Sequence, residues 1–402
     1  MIKLPLYMDY HATTPVDSRV LEEMIPAFQA KFGNPSSRNH PFGWEAEKLV
    51  ERARGKVASL IHADPKEIVF TAGATESNNL ALKGVFDVYL EKGNHLITQV
   101  TEHKSVLDTA KYLEKKGIQV TYLPVDRCGL ADLDQLEKAM TGKTVLISIM
   151  AANNEIGALQ PLEAIGKLAK KRGIFFHVDA AQAVGKIPID IEKMGIDLLS
   201  FSAHKMYGPK GIGALYLRRK NPRVRLVPLL HGGGHEEGLR SGTLNVPAIA
   251  GFGKACEIAG GEMEEDGRRI LKLRNRLHES ILKNLPEVYL NGPPEKRLAG
   301  NLNLSFAYVD GESLLMALSD EIAVSSGSAC TTATKEPSYV LKALGVREDL
   351  IHSSIRFGLG KFTTEEEVDY VAQRVAEAVK RLREISPVYR DVERGQSPVE
   401  PR

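Results

Sequence analysis

Between about residues 65 and 217 the sequence alternates short apolar runs with amphipathic segments, and this alternation restricts the fold more than any other feature. The runs fall at 67–71, 96–100, 119–123, 144–149, 174–178, 197–201 and 213–217. Between several of them lie helical patterns at 75–92, 133–140 and 162–172. A chain that alternates strand and helix in this way builds a mostly parallel sheet with helices on both faces. Ligands of such sheets bind beyond the carboxyl ends of the strands, so side chains just after each run are the candidates for chemistry.

After about residue 260 the pattern changes. A long charged helix is expected over 261–285, strands at 301–306 and 354–357, and helices near 311–318 and 338–344. The last strong element is a helix at 364–385. Thr364 and Glu367 form a capping box there, and Val368, Val371, Val375, Val379 and Leu382 follow one helical face. Acidic residues open this helix and Lys380, Arg381 and Arg383 close it, as the helix dipole favours. The expectation is an α/β chain with two domains. A large one covers 15–260; a smaller α+β one takes in 1–14 and 261–402 and carries a loop at about 325–337. The polar, Pro-containing end at 390–402 reads as frayed.

The length of 402 residues suffices for two cores. A net charge of +2 argues against nucleic acid or an anionic membrane as the main partner. No stretch approaches the roughly 20 apolar residues of a membrane span, and the opening residues lack a signal-peptide run. A soluble, cytoplasmic protein is expected. Of the three cysteines, Cys128, Cys256 and Cys330, no two are close in sequence, which excludes a disulfide framework and zinc spacing. No metal site is expected, and any cysteine that matters does so by reactivity.

Five segments carry candidate chemistry. In Asp197-Leu-Leu-Ser-Phe-Ser-Ala-His-Lys205 a buried run ends at Ser202, His204 and Lys205. A lysine at that place can form a Schiff base with an aldehyde cofactor, or merely open a solvated loop. Asp179 closes the run before it; a carboxylate there can pair with a pyridinium nitrogen or cap a helix. Gly73-Ala74-Thr75 joins a strand to a helix start, whose free N–H groups and Thr75 hydroxyl make an anion site, though no P-loop. His103 follows the run at 96–100 and can stack on an aromatic cofactor and move protons, or sit as a capping histidine. Cys330 lies in Val324-Ser-Ser-Gly-Ser-Ala-Cys330-Thr-Thr-Ala-Thr, a stretch of small and polar residues. Such a stretch reads as a mobile loop, which suits a nucleophile that must travel, though an incidental exposed thiol has the same surroundings.

Taken together, these residues resemble the cysteine desulfurases of the IscS/NifS type, within the fold-type I pyridoxal-phosphate enzymes. The resemblance runs from Tyr7-Met-Asp-Tyr-His-Ala-Thr-Thr-Pro15 to about Pro387. It includes Gly73-Ala-Thr-Glu-Ser77, Asn153-Asn-Glu-Ile-Gly157, Ser202-Ala-His-Lys205, Arg240-Ser-Gly-Thr243, Ser325-Ser-Gly-Ser-Ala-Cys330 and Ile355-Arg-Phe357. It is nearest to the IscS branch.

The resemblance implies a seven-stranded sheet in the large domain and pyridoxal 5'-phosphate as cofactor. Lys205 would hold the cofactor, Asp179 would meet its ring nitrogen, and His103 would stack on the ring. Gln182 and Asn154 would contact the ring oxygen or substrate. Ala74, Thr75, Ser202 and His204 would bind the phosphate, with Thr243 reaching over from the other subunit of a homodimer. Arg356 would clamp the substrate carboxylate. L-cysteine would yield L-alanine, with its sulfur held as a persulfide on Cys330. The sulfur would then pass to an iron–sulfur scaffold protein or other acceptors, tRNA thiolation included. Selenocysteine lyases and other fold-type I aminotransferases share Lys205 and Asp179 but do not require the Cys330 arm. Ala72, Ala181 and Ala203 depart from residues common in the family by small swaps, and the tail at 396–402 differs from that of the general bacterial enzymes.

Overall fold

The structure is a computed structural model that describes residues 2–326, 337–387, 389 and 390. Strand β1 is Leu6–Tyr7, and β2 to β8 are Ile68–Thr71, His95–Gln99, Gln119–Leu123, Thr144–Ser148, Phe175–Asp179, Leu198–Ser202 and Gly213–Leu217. β2 to β8 form one seven-stranded sheet in the order β2-β8-β7-β6-β5-β3-β4. Only β8 runs against its neighbours β2 and β7; the other pairs are parallel. Every residue of β3, β5, β6, β7 and β8 is buried, as a sheet covered on both faces requires.

One buried polar residue of this sheet is paired on both sides. His177 in β6 meets Ser148 of β5 through Nδ1 at 2.8 Å and Ser200 of β7 through Nε2 at 3.0 Å. Three adjacent strands are thus joined by side chains as well as by backbone. Burial pushes the His177 imidazole down to about 3, so it stays neutral.

The second sheet has four strands in the order β12-β13-β10-β9, with β9 Val288–Leu290, β10 Asn301–Phe306, β12 Ser325–Ser326 and β13 Ser354–Gly358. A third, two-stranded sheet pairs β1 with β11, Ile322–Ala323, in parallel. Leu6 and Met8 lie in the same apolar cluster as Leu304, Phe357 and Val375, so the first residues pack with the last third of the chain. The helix Glu365–Ile385 starts with the expected capping box of Thr364 and Glu367.

The charged helix expected at 261–285 is the second part of a much longer helix, Val246–Asn284. Its first turns, around Ile249, Phe252 and Cys256, lie in the apolar cluster under the large sheet. Leu273, Leu277 and Ile281 belong to the cluster of the second sheet. Glycines allow its close packing: a Cβ at Gly253 would stand 2.6 Å from the Cα of Ala53, and one at Gly251 2.6 Å from Met24.

Candidate active site

The carboxyl ends of the large sheet open into a cleft of about 980 Å³. Ala74, Thr75, His103, Asn154, Asp179, Gln182, Ser202, His204, Lys205 and Arg356 all line it. Thr243 is exposed and does not line this cleft, and Cys330 lies outside the described residues.

Asp179 ends β6 and is 5% exposed. Its Oδ1 accepts the Ala181 N–H at 3.0 Å and its Oδ2 accepts from Asn78 Nδ2 at 2.7 Å. The same Asn78 nitrogen donates to Ser105 Oγ at 2.8 Å. That leaves the Ser105 hydroxyl hydrogen for His103 Nδ1, 2.8 Å away, which also takes the Ser105 backbone N–H at 3.1 Å. With Nδ1 accepting, a neutral His103 carries its proton on Nε2. Burial and the charge of Lys205 hold this imidazole below its ordinary value, and Asp179 partly opposes them. One amide thus fixes both a buried carboxylate and, through a serine, the histidine.

Lys205 closes a short 3-10 turn, Ala203–Lys205, directly after β7. Its Nζ donates to the carbonyls of His11 and Ala12 at 2.8 and 2.6 Å. On the other side of the cleft, no side chain caps the helix Ala74–Tyr89, so its first N–H groups are left for an anion. This turn packs tightly: a Cβ at Gly213 would stand 2.7 Å from the Cα of Gly73. Ser202 and His204 stand nearby, with His204 Nδ1 3.0 Å from Thr13 Oγ1. Burial, then Lys205, push His204 down to about 4, so it enters the cleft as a neutral group.

Arg356 reaches the cleft from β13 of the second sheet. It is 2% exposed. Nη1 donates to the Asn154 carbonyl at 2.9 Å and Nη2 to Asp9 Oδ1 at 2.8 Å. Asp9 Oδ2 in turn accepts from Ser325 Oγ at 2.8 Å. A guanidinium held on two sides presents its remaining edge in a fixed plane, suited to a carboxylate.

Asn78, Asp9 and His11 were not singled out from the sequence. Asn78 had a weak signal, a polar residue one helical turn after Ala74 that must face inward with it. Asp9 and His11 fall within the Tyr7–Pro15 segment of the resemblance, yet nothing local marks their contacts. The His11 ring is 3% exposed, lines the cleft, and has no hydrogen-bond partner on either nitrogen among the described residues.

Residues 6–371 match the family model described as aminotransferase class-V. The chain belongs to this family. A cysteine desulfurase IscS of Ehrlichia chaffeensis is 58% identical over 394 residues, 98% of this chain and 96% of the relative. Among solved structures, a NifS-like protein superposes with a TM-score of 0.88 at 43% identity, over 94% of this chain and 100% of the other. A structure described as SspA in complex with cysteine gives a TM-score of 0.80 at 41% identity, covering 89% and 100% of the two chains. Within the class-V family the chain therefore sits with the cysteine desulfurases, enzymes that use pyridoxal 5'-phosphate.

The residues present fit that cofactor. A lysine amine, a buried hydrogen-bonded carboxylate, a neutral imidazole and an uncapped helix start surround one cleft. They match in turn an aldehyde, a ring nitrogen, a ring face and a phosphate. Among the described residues no group of three or more His, Cys, Asp or Glu is arranged to hold a metal ion. No helix among them is long and apolar enough to cross a membrane.

Proposed function

We propose that this cysteine desulfurase converts L-cysteine to L-alanine and keeps the sulfur as a persulfide on Cys330. The observation that carries the reading is the convergence of Lys205 from the turn after β7, Asp179 from the end of β6 and Arg356 from β13 on one cleft. When bound, pyridoxal phosphate supplies a sink for the electrons released when a substrate Cα–H bond breaks. Arg356 binds the substrate carboxylate and so fixes where Cα lies. Asp179, held by Asn78, keeps a proton on the cofactor's ring nitrogen. Lys205 holds the cofactor and moves the Cα proton, and His103, protonated at Nε2, assists as acid and base. Ala74, Thr75, Ser202 and His204 hold the phosphate, and Gln182 and Asn154 contact the ring oxygen or substrate.

The thiolate of Cys330 attacks the sulfur of the substrate. A C–S bond breaks, an S–S bond forms, the substrate carbon takes a proton, and alanine leaves; no outside oxidant or reductant is consumed. The persulfide then passes its sulfur to a scaffold protein for iron–sulfur clusters or to another acceptor, tRNA-modifying proteins among them. We assign residues 15–260 to a cofactor-binding domain and 1–14 with 261–402 to a smaller one. The working unit is a homodimer in which Thr243 of each chain serves the phosphate of the other. Phe32 and Phe42 support this: their rings lie 5.3 Å apart, yet they are 64% and 50% exposed, as an apolar patch awaiting a second copy would be. A cytoplasmic location suits an enzyme whose product is a reducible persulfide.

The test mixes purified, cofactor-loaded protein with L-cysteine and a thiol reductant. Alanine and sulfide appear in equal amounts. Formation of a keto acid without sulfide would instead mark an aminotransferase.

A further inference from the structure

Gln182 is 5% exposed and is gripped from two sides. Its Nε2 donates to the His11 carbonyl at 2.8 Å, and its Oε1 accepts from Lys186 Nζ at 2.8 Å. Rotating the amide by half a turn would put its oxygen against the carbonyl, which is repulsive whatever the lysine's charge, and its NH2 against the lysine, which is repulsive while that group is an ammonium. The His11 acceptor cannot swap roles to follow, because a backbone carbonyl has no hydrogen to give. Of the two Nε2 hydrogens, one goes to His11 and the other is left for the cleft.

We propose that Lys186 is a positioning residue that fixes the Gln182 amide so that the cleft meets an N–H donor and never a carbonyl acceptor. The group it serves is an anionic oxygen on the cofactor ring. A donor stabilises the ionised form of such an oxygen, whereas an acceptor would repel it. Among the described residues the Lys186 side chain makes no ion pair, and its one hydrogen bond is to Gln182. The charges felt on the cleft side are Lys205 and Arg356. On the opposite side Lys186 lines a small cavity of about 60 Å³ with Tyr10, His11, Tyr207 and Asp266. Burial, with Lys205 and Arg356 adding repulsion, pushes its ammonium down to about 7. The ammonium admits only Oε1; the neutral amine still has N–H bonds to give, and the His11 carbonyl then keeps the amide from turning.

This inference rests on the cofactor reading above. The test follows the visible band of the cofactor in the loaded enzyme, without substrate, as pH is varied. Lys186→Met raises the midpoint of the band by ~0.5–1 pH unit, about the worth of one hydrogen bond. Lys186→Arg, which keeps a donor, restores it to within ~0.3 unit. Gln182→Leu alone gives the Met variant's shift, and adding Lys186→Met to it changes nothing more. Lys186→Leu, likewise without a donor, serves if the Met variant does not fold.

An unchanged midpoint in Lys186→Met, or in Lys186→Leu where that variant is used, overturns the proposal. An equal shift from Lys186→Met with and without Gln182 overturns it too, since that is the mark of a direct charge effect. Failure of the cofactor reading looks different: the unaltered protein would take up no coloured cofactor.

Discussion

Replacing Asn78 by leucine removes two hydrogen bonds from one buried nitrogen while changing side-chain volume little. The bond to Asp179 Oδ2, at 2.7 Å, is charge-assisted; its loss costs about 1.5–3 kcal/mol. The bond to Ser105 Oγ, at 2.8 Å, is between neutral groups and is worth about 0.5–1.5 kcal/mol. Only the first bears on the carboxylate that meets the cofactor. At ~1.4 kcal/mol per decade, its loss weakens cofactor affinity by ~10–100-fold. The assay titrates cofactor-free protein with pyridoxal phosphate and follows visible absorbance. Ser105→Ala is the control: it removes the neutral bond but leaves Asp179 its donor, so affinity should stay within ~3-fold of the parent. Unchanged affinity in Asn78→Leu, or an equal loss in both variants, would refute the chain of contacts from Asp179 through Asn78 to His103.

Three other outcomes are expected. Cys330→Ala should lose sulfide release by more than ~100-fold while the visible band remains, since only the nucleophile is removed; sulfide release at the parent rate would end the persulfide assignment. Arg356→Lys gives up a planar two-point grip and should raise KM for cysteine ~10-fold with kcat within ~3-fold, measured by steady-state alanine formation. His177, neutral when folded and titrating at about 3, has an ordinary value near 6.5 when unfolded. Between these values the unfolded chain binds the extra proton, so stability falls as pH falls, by about 1.4 kcal/mol per unit. In urea unfolding at pH 7 and pH 5, His177→Gln should show a smaller pH effect than the parent; an identical one would exclude His177 as a source.

The large sheet was legible because its strands are continuous apolar runs bounded by turns, and each observed strand starts or ends within about one residue of its run. That the residues before 261 continue the same helix, Val246–Asn284, was not legible. Gly251, Gly253 and Gly260 read as helix-poor, and only contacts with Met24 and Ala53 show why small residues stand at the first two. The pairing of β1 with β11 joins two-residue strands too short to carry a period. In the site, residues that follow strands were found, because the topology places them. Asn78, Asp9, His11 and Lys186 act by holding something else in place. Their partners come from distant segments or from the next turn of a loop, and no local pattern encodes that.

The parallel pairing of Leu6 with Ile322 also bears on how the chain is made. Synthesised at ~5–20 residues per second, Leu6 and Met8 wait roughly 15–60 s for the segment they will join. Meanwhile the strands of the large sheet have all emerged and can begin to close over their own core. The residues before Asp9 stay apolar and uncovered until translation is nearly finished, which makes them a natural site for a chaperone to hold. The cleft acquires Arg356 only after that wait, so a ribosome stalled before it would leave a sheet with the lysine in place and nothing to receive the substrate's carboxylate.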